Sequence, residues 1–265
     1  MGGLSCRLQS SVIDWAWSTA FYSAALVAVA GAIGMIWPLR SIHRKSRLRA
    51  FVMALGGVVT VVGIALITPS PQSFVGPTTG IDDYMPQYHF REHHTIAVSA
   101  SPDRVYAAIK SVSADEIALF RLFTGIRRFG RPGPESILNA PAKQPILDVA
   151  TRTGFLLLID RAPSDIVLGA VVVAPPGIGG PRRQFTGADF MGLIQPGFAK
   201  ATMNFRIQEL GNGTSRVDTE TRVFATDGVA LKRFTPYWRV ILPGSSILRA
   251  TWLRAIKTKA EKASS

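Results

Sequence analysis

The sequence predicts an α+β chain: two membrane-spanning helices first, then a curved antiparallel sheet around a long C-terminal helix. Three observations predict it. Two long uncharged runs lie in the first 68 residues; alternating apolar strands fill the middle; a helical apolar stripe closes the chain. The apolar runs are Ser18 to Trp37 and Phe51 to Thr68. About twenty apolar residues cross a bilayer core roughly 30 Å thick, so both are long enough. Their Ala, Gly and Ser content lets two helices approach closely as a hairpin. Trp15, Trp17, Tyr22 and Trp37 lie near the ends of the first run, where an interfacial aromatic belt places them. Ala28-Val29-Ala30 resembles a signal-peptidase site, but the apolar run continues past it and the segment before it has only Arg7 as a cation.

Orientation follows from charge. The connecting stretch Pro38 to Ala50 holds Arg40, His43, Arg44, Lys45, Arg47 and Arg49 and no acid, whereas Pro69 to Phe90 has no Lys or Arg. The positive-inside rule places the 38–50 loop in the cytoplasm and both termini on the other side, in a two-span cell-membrane protein. The chain has 265 residues and a formal charge of +13, of which 24 basic and 16 acidic residues lie beyond residue 68. That excess suits anionic surfaces such as lipid headgroups. One cysteine, Cys6, excludes a disulfide framework and a thiol-rich metal site.

Residues 69–86 carry four prolines and read as a linker between the hairpin (1–68) and a soluble domain (87–265). Gln87 to Ser99 alternates as a strand. Ser101-Pro102-Asp103 then starts a helix through Val105, Ala108 and Ile109. A second helical segment covers 114–127, and a short one passes through Leu147 and Val149. Gly154 to Asp160 and Asp165 to Ala174 form a hairpin. Gly197 to Glu209 and Thr214 to Thr226 form another around Gly211-Asn212-Gly213. Here Ala199, Ala201, Met203, Phe205 and Ile207 share one face with Val217, Thr219, Thr221 and Val223. Opposed residues share a face, so paired numbers must sum to an even total. A two-residue Asn-Gly turn gives 425; a three-residue loop with a bulge is therefore expected, pairing Arg206 with Asp218 and Asn204 with Glu220. The alternation sends Asp218, Glu220 and Arg222 to the other face, as a solvent-exposed charge ladder. A helix from Gly228 to about Leu242 is expected to stop at Pro243-Gly244-Ser245, and a last helix to run to about Lys262.

This order resembles a known one. HHTIAVSASPDRVYAAI (His93 to Ile109) is similar to the opening of the START-like, or Bet v 1-like, superfamily (SRPBCC, polyketide cyclase/dehydrase). Thr219 to Lys257 resembles the C-terminal half of an uncharacterised branch of it. The resemblance covers about residues 88–263 and implies the helix-grip fold, with a cavity beneath the long helix for lipids, sterols, hormones or polyketides. It carries no shared catalytic motif, and the membrane hairpin is not part of it.

The expected function is binding of a hydrophobic or amphipathic small molecule, a lipid among them, by a membrane-anchored domain. Phe123, Phe155, Met203, Phe205, Tyr237, Trp238 and Trp252 are the candidate cavity lining. Arg249, Arg254 and Lys257 are candidates for the membrane surface. Arg239 is expected to reach solvent. A cyclase- or hydratase-type enzyme is the alternative and needs a polar residue with a partner inside the grip; a non-catalytic scaffold of a membrane complex is a third reading. No G-x-S-x-G occurs, and the Pro175 to Pro181 loop (PPGIGGP) lacks the Lys-Ser/Thr of a phosphate loop. No cofactor, metal or nucleic-acid partner is expected. The HFREHH stretch (residues 89–94) offers metal-ligand types, but on a strand His89 and His93 face one way and His94 the other.

Overall fold

In the computed structural model, residues 2–36, 44–73, 79–176 and 186–262 are described. Trp37 with the first half of the basic loop (38–43), part of the 69–86 linker (74–78) and most of the glycine-rich loop (177–185) lie outside them. Helix α1 spans Gly2–Ile36 and α2 spans Arg44–Leu66, side by side. Each contains a segment long and apolar enough to cross a membrane, Ile13–Ile36 and Arg47–Leu66. Their closeness depends on glycine. A Cβ at Gly57 would lie 2.6 Å from the Ala28 nitrogen, and one at Gly31 2.4 Å from the Ala54 nitrogen.

Five strands form one antiparallel sheet in the order β3-β7-β6-β5-β4. They are β3 (Phe90–Val98), β4 (Leu156–Arg161), β5 (Asp165–Val173), β6 (Ala199–Gly211) and β7 (Thr214–Ala225). Helices α4 (Pro102–Ser111), α5 (Phe120–Arg127) and α6 (Ile146–Thr153) link β3 to β4. The segment expected as one helix over 114–127 breaks at Leu119, whose φ is 63°. The long helix α8 (Gly228–Lys262) lies across the concave face, so the architecture is a helix-grip preceded by two apolar helices.

Two expectations change here. Helix α8 does not stop at Pro243; it runs unbroken with Pro236 and Pro243 inside it. Each proline removes one backbone donor. Burial of Phe234, Trp238, Leu242, Trp252, Leu253 and Ile256 along one side outweighs that loss, each large side chain contributing about 2 kcal/mol. Gly244 packs closely under Phe123, whose ring would lie 3.2 Å from a Cβ there. The β6–β7 turn is also tighter than expected. Asn212 and Gly213 have φ of 52° and 69°, a two-residue turn that pairs Gly211 with Thr214. The bulge follows, between Glu209 and Gly211, and restores the even sum: Arg206 pairs Asp218, and the Glu220 N–H donates to Asn204 Oδ1 at 2.8 Å.

The convex face is open at Thr95, Ala97 and Arg216 but covered over Glu220 and Arg222. The stretch read as linker contributes β1 (Gln72–Ser73), α3 (Gly80–Tyr84) and β2 (Gln87–Tyr88); α7 (Gly187–Met191) lies farther along. Ile81 and Met85 are buried against the sheet. Glu220 and Arg222 of the expected charge ladder therefore belong to an interior network, while Asp218 stays half-buried beside exposed Arg216. Arg91 grips Glu220 with Nε and Nη2 at 2.7 and 3.2 Å. Arg222 Nε donates to the same carboxylate at 2.6 Å, and its Nη1 meets Asp82 of α3 at 2.6 Å and the Met85 carbonyl at 2.8 Å. Glu220 would be raised by burial, but Arg91 and Arg222 hold it down at about 2.

Candidate functional site

The concave face carries two apolar clusters. One holds Ile109, Leu168, Met203, Phe205, Trp252 and Ile256; the other holds Phe90, Phe234, Trp238 and Leu242. Strand alternation places two polar side chains of β3 between them. Glu92 and His94 pair with Thr221 and Thr219 of β7 and share their inward face, while Arg91 and His93 face the other way. Above them, the turn of α8 at Ser245, Ser246 and Arg249 comes down onto the sheet.

The resulting contacts are short. Glu92 Oε1 meets His94 Nε2 at 2.9 Å, and Glu92 Oε2 accepts from Ser245 Oγ at 2.9 Å. Ser246 Oγ lies 3.1 Å from the same His94 Nε2. Arg249 donates to Thr221 Oγ1 at 2.8 Å and to Thr219 Oγ1 at 3.4 Å, with its guanidinium 5.6 Å above the Trp252 ring. Burial pushes Arg249 down to about 10, with Glu92 acting against that shift and Arg127 adding to it. The Trp252 indole N–H is buried without a hydrogen-bond partner.

Ser246, His94 and Glu92 do not form a nucleophilic triad. A triad uses both ring nitrogens, one toward the hydroxyl and one toward the acid. Here Nε2 faces both. With its proton directed to the Glu92 carboxylate, Nε2 has no lone pair left to take one from Ser246. The set can donate hydrogen bonds and place positive charge against an anionic or carbonyl group. It can also hold a proton between Glu92 and His94.

The sequence-predicted residues fall around this set. Met203, Phe205 and Trp252 are buried on one side of it, with Phe155 packed against them. Phe205 and Trp252 meet edge to face at 5.1 Å. Trp238 is buried on the other side against Phe90 and Phe234. Phe123 packs at Gly244, and Tyr237 is exposed and hydrogen-bonded to Arg127. Arg249, expected at the membrane surface, turns inward, because on a continuous α8 its position faces β7. Arg254 is exposed at a shallow cleft of about 450 Å3 that Lys259 and Lys262 also line, and Lys257 donates to the Ala97 carbonyl at 2.8 Å. Arg239, expected in solvent, is buried against α1. Sequence reasoning missed Glu92, Ser245 and Ser246. The signal for Glu92 was its shared parity with His94; the serines were hidden behind the expected break at Pro243. Among the described residues no group of three or more His, Cys, Asp or Glu is placed to hold a metal ion.

No protein family matches the chain, and no curated protein does. Solved structures do. The Zhui aromatase/cyclase of Streptomyces sp. R1128 is similar at 13% identity and a TM-score of 0.29, over 66% of this chain and 95% of that one. The protein TTHA0849 of Thermus thermophilus is similar at 10% identity and a TM-score of 0.26, over 66% and 99%. A conserved protein of Geobacillus kaustophilus is similar at 9% and 0.26, over 66% and 97%. The fold assignment rests on the strand order and the gripped helix described above.

Proposed function

We propose that this chain is a membrane-anchored helix-grip domain that binds an amphipathic small molecule, lipids included, within the grip. One observation carries the reading: a polar set of Glu92, His94, Ser245, Ser246 and Arg249 sits between two apolar clusters on the gripped face. Convergent polar groups flanked by apolar side chains suit a ligand with a hydrophobic body and one polar end. Arg249 and the unpartnered Trp252 indole are the groups that meet that end. The length and composition of the hairpin support anchoring at the membrane, and the basic 38–50 loop supports an extracytoplasmic domain by the positive-inside rule. A topology reporter fused at Ser265 gives an extracytoplasmic signal in this reading; a cytoplasmic one reverses the orientation.

The test is displacement of a fluorescent fatty-acid probe from the full-length protein in detergent. Arg249→Met weakens probe binding by about tenfold or more, the scale of one lost charged hydrogen bond in a buried site. Arg254→Met, on the exposed side of the same helix, leaves it unchanged. Equal affinities for wild type and Arg249→Met would remove Arg249 from the site.

A second reading, an enzyme of the cyclase or hydratase type, is favoured by one specific pair. Glu92 and His94 are in contact inside the grip, which is what proton transfer to a bound carbonyl compound requires. Turnover of a ligand recovered from the protein, lost in Glu92→Gln with binding retained, would establish it.

A further inference from the structure

Helix α1 docks on the domain. Asp14, Ser18 and Tyr22 recur at four-residue spacing and so share one face of α1, the face toward α8. The Tyr22 hydroxyl donates to the Val240 carbonyl at 2.7 Å, and Asp14 Oδ1 lies 3.9 Å from Arg239 Nη1. Arg239 is 1% exposed. Its Nη2 donates to the Ile67 carbonyl at 3.3 Å, and the guanidinium stands 5.2 Å from the centre of the Trp17 ring. Among the described residues its Nε and Nη1 have no hydrogen-bond partner, and neither has Ser18 Oγ. Buried polar groups in folded proteins are paired with few exceptions, and an unused buried guanidinium donor is costly. Two unused donors on one buried guanidinium point to a missing partner.

The space for that partner is present. A cleft of about 210 Å3 opens beside Arg239, with Asp14, Trp17, His89, Ile13 and Ile67 in its walls. His89 Nδ1 accepts from the Ala225 N–H at 3.2 Å, which leaves the ring proton on Nε2 as a further donor. The cleft lies where the first apolar span begins, at Ile13, and just past the end of the second, at Leu66. In a membrane-crossing hairpin that is the depth of the lipid headgroups. Its charge is mixed. An isolated anion there meets the Asp14 carboxylate, and an isolated cation meets Arg239.

We propose that this cleft binds the head of a zwitterionic phospholipid carrying a primary ammonium. The phosphate sits against Arg239 and His89, the ammonium donates to Asp14, and the glycerol end leaves along Ile13, Trp17 and Ile67. The site rests on the membrane-spanning reading of the hairpin and is independent of any ligand in the grip. It makes the junction between hairpin and domain sensitive to lipid composition.

The experiment is native mass spectrometry of the full-length protein in detergent titrated with phosphatidylethanolamine, phosphatidylcholine or phosphatidylglycerol, with soluble phosphoethanolamine and inorganic phosphate as competitors. Wild type retains phosphatidylethanolamine at about tenfold lower concentration than either other lipid, because only its head satisfies both charges with hydrogen bonds. R239Q loses that adduct, and D14N loses the preference over phosphatidylglycerol. Wild-type retention of all three lipids alike overturns the proposal whether or not the variants fold, and so does an R239Q protein that binds as wild type does. Competition by phosphate or phosphoethanolamine at the lipid's own concentration assigns the cleft to a soluble ion and overturns it too. Absence of any phospholipid adduct overturns the membrane reading with it; adducts without a headgroup preference overturn this site alone.

Discussion

Glu220→Gln is expected to destabilise the domain by about 3–5 kcal/mol, the scale of breaking one partner out of a buried ion network. Glu220 neutralises two guanidiniums at once, Arg91 and Arg222, both almost fully buried beneath α3. The glutamine keeps the shape but removes the charge that both guanidiniums share, leaving Arg222 its contact with Asp82. The same network sets an acid limit. Glu220 is held at about 2 in the folded protein against an ordinary value of 4.5, so its carboxylate favours folding above pH 4.5. That contribution is lost as pH falls from 4.5 toward 2, and the unfolding midpoint of wild type drops in this window. In Glu220→Gln the midpoint is lower at neutral pH and flatter through the same range. Chemical denaturation of both proteins across pH reads both effects; parallel pH profiles would show that the network does not set the acid limit.

Gly57→Leu is expected to separate the two apolar helices, costing about 3 kcal/mol or more, since overpacking that meets backbone rather than a movable side chain has no easy relaxation. The atoms in the way are the Ala28 nitrogen at 2.6 Å and the Ala24 carbonyl oxygen at 2.8 Å. Gly56, one residue earlier, has nothing within 4 Å of a built Cβ, so Gly56→Leu is the control and is tolerated. Thermal unfolding in detergent separates the two: Gly57→Leu melts lower and Gly56→Leu does not. Similar melting of both would mean that the helices do not pack through this face. Because α1 also bears on α8, its displacement moves Asp14 away from Arg239, and the loss is felt in the domain as well.

Much of the fold was legible because it follows from local periodicity. The alternation of β6 and β7 and the parity rule gave the need for a bulge and the Arg206–Asp218 pair, though not the two-residue turn or the bulge's place at Glu209 to Gly211. The missed features depend on what covers a face. Alternation correctly sent Glu220 and Arg222 away from Met203, but it cannot say that α3 lies over them; Pro69 to Pro86 reads as linker by composition although Ile81 and Met85 are core. The same holds for α8. Local chemistry stops a helix at Pro243, and tertiary packing carries it through, which is what brings Ser245, Ser246 and Arg249 onto Glu92 and His94. The stripe of Trp252, Ala255 and Ile256 marked the gripped side of the helix. The polar site between the clusters required the register of helix over sheet, which no spacing within either segment contains.

Whether the grip holds an amphipathic molecule by its polar end can be read from the full-length protein purified from its own membranes in mild detergent. Native mass spectrometry is expected to find a bound small molecule released on denaturation, retained in Arg239→Gln and depleted in Arg249→Met. Wild-type protein that repeatedly carries no small molecule, or one retained equally in Arg249→Met, would contradict binding within the grip.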